Sequence, residues 1–153
     1  MSSAVAIQLA DAVTAVINGS SLGITNAERW YVPIHSVTTD LVTLQVSVAP
    51  RALTAEFVAR RADDFTYLVD IGLQQKLPNE ATNNDLIKQF CDPLMLLMEQ
   101  IIDLFRGKNL EGAPYAQCMA VENPFIYSPE HIDQERVFTS VATIHFKLVR
   151  PRT

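Results

Sequence analysis

The sequence predicts an α+β domain: a mostly antiparallel sheet of four to five strands with two helices packed on one face. Three observations lead there. Strict apolar–polar alternation over 42–48, 65–73 and 137–148 has the period of half-buried strands. Two stretches, 3–17 and 82–106, carry apolar residues at helical spacing instead. The order α, β, β, β, α, β has no regular βαβ alternation, which favours an antiparallel sheet with helices segregated to one side.

The first helix is expected over 3–17, with Val5, Leu9, Val13 and Val16 in one stripe and Ala12 and Ile17 beside it. Ser2 or Ser3 is suited to cap its start, and Asn18-Gly19 to provide a left-handed exit. The alanines at 4, 6, 10, 12 and 15 make it slim, able to lie close to a sheet or a neighbour. Residues 20–40 read as a loop entering Trp30-Tyr31-Val32-Pro33-Ile34, an edge strand or extended arm because Pro33 donates no hydrogen bond. Val42, Leu44, Val46 and Val48 mark the next strand, which Pro50 is expected to stop. Phe65, Tyr67, Val69, Ile71 and Leu73 mark another. Residues 51–64 between them are too long for a tight turn and too apolar for a linker, so they read as an excursion from the domain body.

Thr82-x-x-Asp85 resembles a capping box for a second helix striped by Leu86, Phe90, Leu94, Leu97, Ile101 and Phe105 and ended by Gly107. Pro93 should kink or restart it, with Asp92 as the new cap. Residues 108–134 read as irregular around a short strand at 117–121. In the last strand Phe138, Ser140, Ala142, Ile144, Phe146 and Leu148 form one face, and Val137, Thr139, Val141, Thr143, His145 and Lys147 the other.

At 153 residues the chain fits one domain, 1–153, large enough to bury a core without staples. No apolar run approaches the ~20 residues of a membrane span, and the N-terminus has no basic residue before its apolar stretch, unlike a secretion signal. Cys91 and Cys118 lack metal or redox spacing and read as reduced core thiols, which suits a cytoplasmic, soluble protein. Twelve Lys+Arg against seventeen Asp+Glu give a net charge of −5, which disfavours tight duplex binding by the surface as a whole.

Catalytic signatures are absent: there is no GxSxG, HExxH, GxxxxGK[ST] or GxGxxG, and the five glycines never cluster. His35, His131 and His145 are scattered, and none has an identifiable partner in the sequence. Asp63-Asp64 reads as a solvated turn, and Cys91 and Met95/Met98 as core filling. No catalytic, cofactor-binding or metal-ligating residue is therefore assigned.

Two segments carry a family resemblance. One is Phe65-Thr66-Tyr67-Leu68-Val69-Asp70-Ile71-Gly72-Leu73-Gln74-Gln75-Lys76-Leu77 with the long helix ending Ile101-Ile102-Asp103-Leu104-Phe105-Arg106-Gly107. The other runs from Tyr127-Ser128-Pro129-Glu130-His131 through Phe138-Thr139-Ser140-Val141-Ala142-Thr143-Ile144. Together with the Val46-Ser47-Val48-Ala49-Pro50 strand exit, they resemble the tail terminator (tail-completion) proteins of long-tailed bacteriophages over most of 42–149. Pro93 departs from that pattern. The resemblance implies a virion structural subunit assembled in the host cytoplasm. It would form a homo-oligomeric ring, a hexamer, capping the tail tube protein and meeting the neck or connector protein. Genome DNA would pass the lumen without specific binding. Another neck component, a head-completion or stopper protein, is the nearest alternative, and a small cytosolic enzyme or ligand-binding domain is the alternative of another class. The expected interface takes Arg51, Phe57, Val58, Arg60 and Arg61 from the excursion, an apolar pair with a charged rim. Val137, Thr139 and Val141 on the outer face of the last strand complete it, with the slim helix beside them.

Overall fold

A computed structural model of the protein describes residues 4–32, 40–57, 60, 62–110 and 116–151. The class is α+β, as the alternation and helical stripes predict. Elements run α1 (Val5–Asn18), β1 (Glu28–Arg29), β2 (Gln45–Glu56), β3 (Ala62–Lys76), α2 (Asn84–Asp103), β4 (Asn109–Leu110), β5 (Ala116–Phe125), a π turn (His131–Glu135) and β6 (Val137–Pro151). The described strands form one sheet in the order β1-β2-β3-β6-β5-β4. It has six strands rather than four to five, because two-residue strands sit at both edges. It is mixed, since β1 runs parallel to β2 while the other pairings are antiparallel.

The spine is β3 against β6, paired without a register break from Ala62↔Pro151 to Lys76↔Val137. Alternation sends Tyr67, Val69, Ile71 and Leu73 from β3 and Phe138, Ala142, Ile144 and Phe146 from β6 into the core, all at most 3% exposed. Val46 and Val48 of β2 lie opposite Leu73 and Ile71 on the same face. Against them pack Leu9, Ala10, Val13 and Ile17 of α1 and Cys91, Leu94, Met98 and Ile101 of α2. Phe105, just past α2, meets the Phe146 ring edge-on at 6.5 Å, fixing the helix end to the spine.

Several local expectations need correction. The N-cap of α1 is Ala4, with no side-chain cap bond; Ser2 and Ser3 lie outside the described residues. Gly19 is right-handed (φ −86°), because Asn18 leaves the helix to bind the backbone of Ala27 instead. The edge strand before β2 is Glu28–Arg29, earlier than expected, and Trp30 N–H donates to the Val48 carbonyl at 2.8 Å; Pro33 and Ile34 lie outside the described residues. Pro50 does not stop β2. A register shift between Pro50 and Ala52 absorbs it, and the strand continues to Glu56. Residues 51–64 are thus largely two paired strands of a hairpin, not an irregular excursion, and Asp63 and Asp64 lie in β3 rather than a turn.

The cap of α2 is Asn83, whose side chain accepts from the Leu86 N–H at 3.0 Å, one residue past the expected Thr82. The helix then runs through Pro93 without restarting at Asp92. Pro93 and Gln89, whose carbonyl loses a donor, both face solvent, where water can take the freed acceptor. Residues 108–134 are less irregular than expected. β5 is ten residues long, with register shifts at Cys118/Ala120 and Glu122/Phe125 that accommodate Asn123 and Pro124.

Candidate functional site

Past the bulge at Pro50 the β2–β3 hairpin continues as an arm. Every β2 residue from 51 to 56 is exposed, and with neither helix behind it the arm has no core to impose an apolar period. Phe57 at the end of β2 is 76% exposed, Leu53 52%, and Val149 on the adjoining β6 segment 64%. Charged contacts stiffen the arm. Lys147 Nζ lies 3.0 Å from Asp64 Oδ2, and the Arg150 guanidinium stacks 4.8 Å from the centre of the Phe65 ring.

The expected interface residues divide. Phe57 and Arg60 are exposed on the arm, while Val58 and Arg61 lie outside the described residues. Arg51 sits at the arm's root, where its Nη1 lies 3.7 Å from Asp70 Oδ1 and donates to Thr143 Oγ1 at 3.4 Å. Thr143 in turn donates to Asp70 at 2.7 Å, so this trio ties β2, β3 and β6 together across the outer face. Val137 is 1% exposed and cannot meet a partner without rearrangement. The π turn explains this. It folds back over the start of β6, where His131 Nδ1 lies 2.8 Å from Thr139 Oγ1. Thr139 also accepts from Gln74 at 3.2 Å, and Val141 is half-buried between its pairing partners Gly72 and Phe125. The outer face of β6 is therefore largely used within the chain.

Two histidines do have partners, contrary to expectation. His131 bonds Thr139, and His145 Nε2 lies 3.5 Å from Glu122 Oε1, brought close by the bulged β5 that the sequence pattern did not reveal. Thr139 and His145 are six residues apart on one strand, roughly 20 Å, so the two rings do not converge on one reacting atom. His35 lies outside the described residues. Cys91 and Cys118 are free and buried, and burial pushes both thiols above their ordinary range, away from nucleophilic thiolate. Among the described residues, no group of three His, Cys, Asp or Glu side chains is arranged to hold a metal ion. Nor is any helix among them long and apolar enough to cross a membrane.

A second surface feature was missed by sequence reasoning. A groove of about 420 Å³ opens between α2 and the 127–138 segment, lined by Ile87, Cys91 and Met95 on one side and Tyr127, Ile132 and Phe138 on the other. Its far wall comes from the stretch read as irregular, where no periodicity marked Tyr127 or Ile132 as wall residues. Lys88 and Asp92 stand at its rim. No protein-family model matches the chain, and no curated protein matches it in sequence.

Proposed function

We propose that this chain is a structural subunit of a phage particle, a tail terminator that assembles as a hexameric ring on the end of the tail tube and joins it to the neck. The observation that carries the reading is the arm: a stiffened hairpin with an exposed strand, ending in Phe57 at 76% exposure. An isolated monomer gains nothing from holding a large ring in water at the tip of a braced arm, whereas an assembly subunit gains an anchor. The sequence resemblance over 42–149 supplies the particular assembly. On this reading the chain forms no covalent bonds and needs no cofactor, and its net charge of −5 lets DNA slide past rather than adhere.

The test is to add the purified chain to polymerising tail-tube protein from the same particle and measure tube lengths by electron microscopy. Capped tubes of arrested length are expected. Tubes that keep growing would sink the reading, and binding to the neck alone would assign the chain to the stopper position instead. Individual replacement of His35, His131, His145, Cys91 and Cys118 should leave the yield of infectious tailed particles unchanged. A variant that folds normally yet yields unjoined heads and tails would expose a chemical role.

A further inference from the structure

The arm and the groove lie at opposite ends of the same strand. Phe138, at the start of β6, forms part of the groove, while the far end of β6 pairs with Ala62 at the base of the arm. Thirteen residues of extended chain separate Phe138 from Pro151, roughly 40 Å at the rise of a β-strand. Phe57 lies beyond that pairing again, so the arm tip of one chain cannot reach its own groove. Their exposed charges are opposite in balance. On the arm, Arg51, Arg60 and Arg150 stand against Glu56, although Arg51 is shared with Asp70. Around the groove, Asp92, Glu130 and Asp133 stand against Lys88. The groove's apolar wall and about 420 Å³ give ample space for one phenyl side chain, whose burial is worth more than that of most single residues at an interface.

We infer that the arm of one copy, led by Phe57, docks in the Tyr127 groove of a second copy of this chain. The two surfaces differ, so the contact is heterologous: each subunit offers an arm at one end and a groove at the other, and the repeat closes into a ring or runs on as a filament. The inference deepens the proposed function and rests on it only for closure at the tube end.

Native mass spectrometry of the full chain over a concentration series, alone and with tube ends, tests the contact. Phe57→Asp disables the arm and Tyr127→Asp the groove. Both positions are about half exposed or more, and the melting temperature of each variant checks that folding is intact. The wild-type chain should form a closed oligomer, and each variant should weaken self-association by roughly tenfold or more. An equimolar mixture of the two variants should give 1:1 heterodimers and nothing larger, because one intact arm still meets one intact groove. Three results would overturn the inference: a wild-type chain that stays monomeric throughout, a Phe57→Asp chain that keeps the wild-type oligomer, or variants that fail to pair when mixed. Tube capping is scored separately. A ring that forms but does not cap tubes removes the terminator reading and leaves the contact standing, whereas capping by Phe57→Asp at wild-type strength removes the contact alone.

Discussion

Asn18 offers the sharpest test of how the N-terminal helix is held to the sheet. Its side-chain amide donates to the Ala27 carbonyl and accepts from the Ala27 N–H, each at 2.9 Å, as a neighbouring strand's backbone would. Ala27 is 6% exposed and directly precedes β1, so its two peptide groups have little access to water. Asn18→Ala deletes both bonds and leaves a donor and an acceptor unsatisfied. A typical net value of about 1 kcal/mol per bond gives a loss of about 2 kcal/mol, rising toward 4 if water cannot enter. For a chain of this size a 2 kcal/mol loss lowers Tm by about 4–8 °C. Asn18→Asp separates the halves: it keeps the acceptor toward the N–H but sets a carboxylate oxygen against the carbonyl, so it should cost at least as much at neutral pH. Urea denaturation of the wild type and both variants measures this. An Asn18→Ala chain within 0.5 kcal/mol of wild type, at the level of an ordinary surface change, would show that the clamp contributes nothing.

Three further outcomes are expected. A Cβ at Gly72, in the middle of β3, would meet no atom within 4 Å, so Gly72→Ala should stabilise by about 0.5–1 kcal/mol; calorimetry showing a lower Tm would contradict this. Asn83→Ala should cost about 1 kcal/mol through loss of the α2 cap, whereas Thr82→Ala should be near neutral, and the reverse order would restore Thr82 as the cap. Burial raises the folded-state thiol of Cys91 and Cys118 above the unfolded value near 8.5. The stability this gives is therefore fully present below that pH and lost as pH rises through the folded values. Cys91→Ala should cost about 1–2 kcal/mol at pH 7, and the gap between wild type and the double alanine variant should narrow toward pH 10; a constant gap would refute the linkage.

The central strands were legible because each has one wet and one dry face, which writes a period of two into β3 and β6. The same physics hid the arm. Residues 51–56 have no dry face, so no alternation survives, and a proline followed by a polar stretch looks like a strand end. β5 was obscured by Asn123 and Pro124, although Asn123 replaces lost ladder bonds by donating to the carbonyls of Phe125 and Val141. Phe57 was readable as an anchor because an apolar residue among arginines is conspicuous in any fold. Val137 was misplaced because alternation assigns a face without showing what folds over it. Arg136, left-handed at φ 59° with its guanidinium on the Ala81 carbonyl, joins two distant segments through a conformation that side chain seldom adopts, and it left no trace in the pattern.

The continuous pairing of β3 with β6 also sets a timetable. Lys76 meets Val137 and Ala62 meets Pro151, so the spine closes only after α2, β5 and the π turn have been threaded between its two halves. Closing so large a loop costs chain entropy before any of the spine's contacts return it, which places folding among the slower topologies. During synthesis β6 emerges near the end, and until then one whole edge of β3 stays open to strands of other nascent chains. The last strand made is the one that seals the sheet.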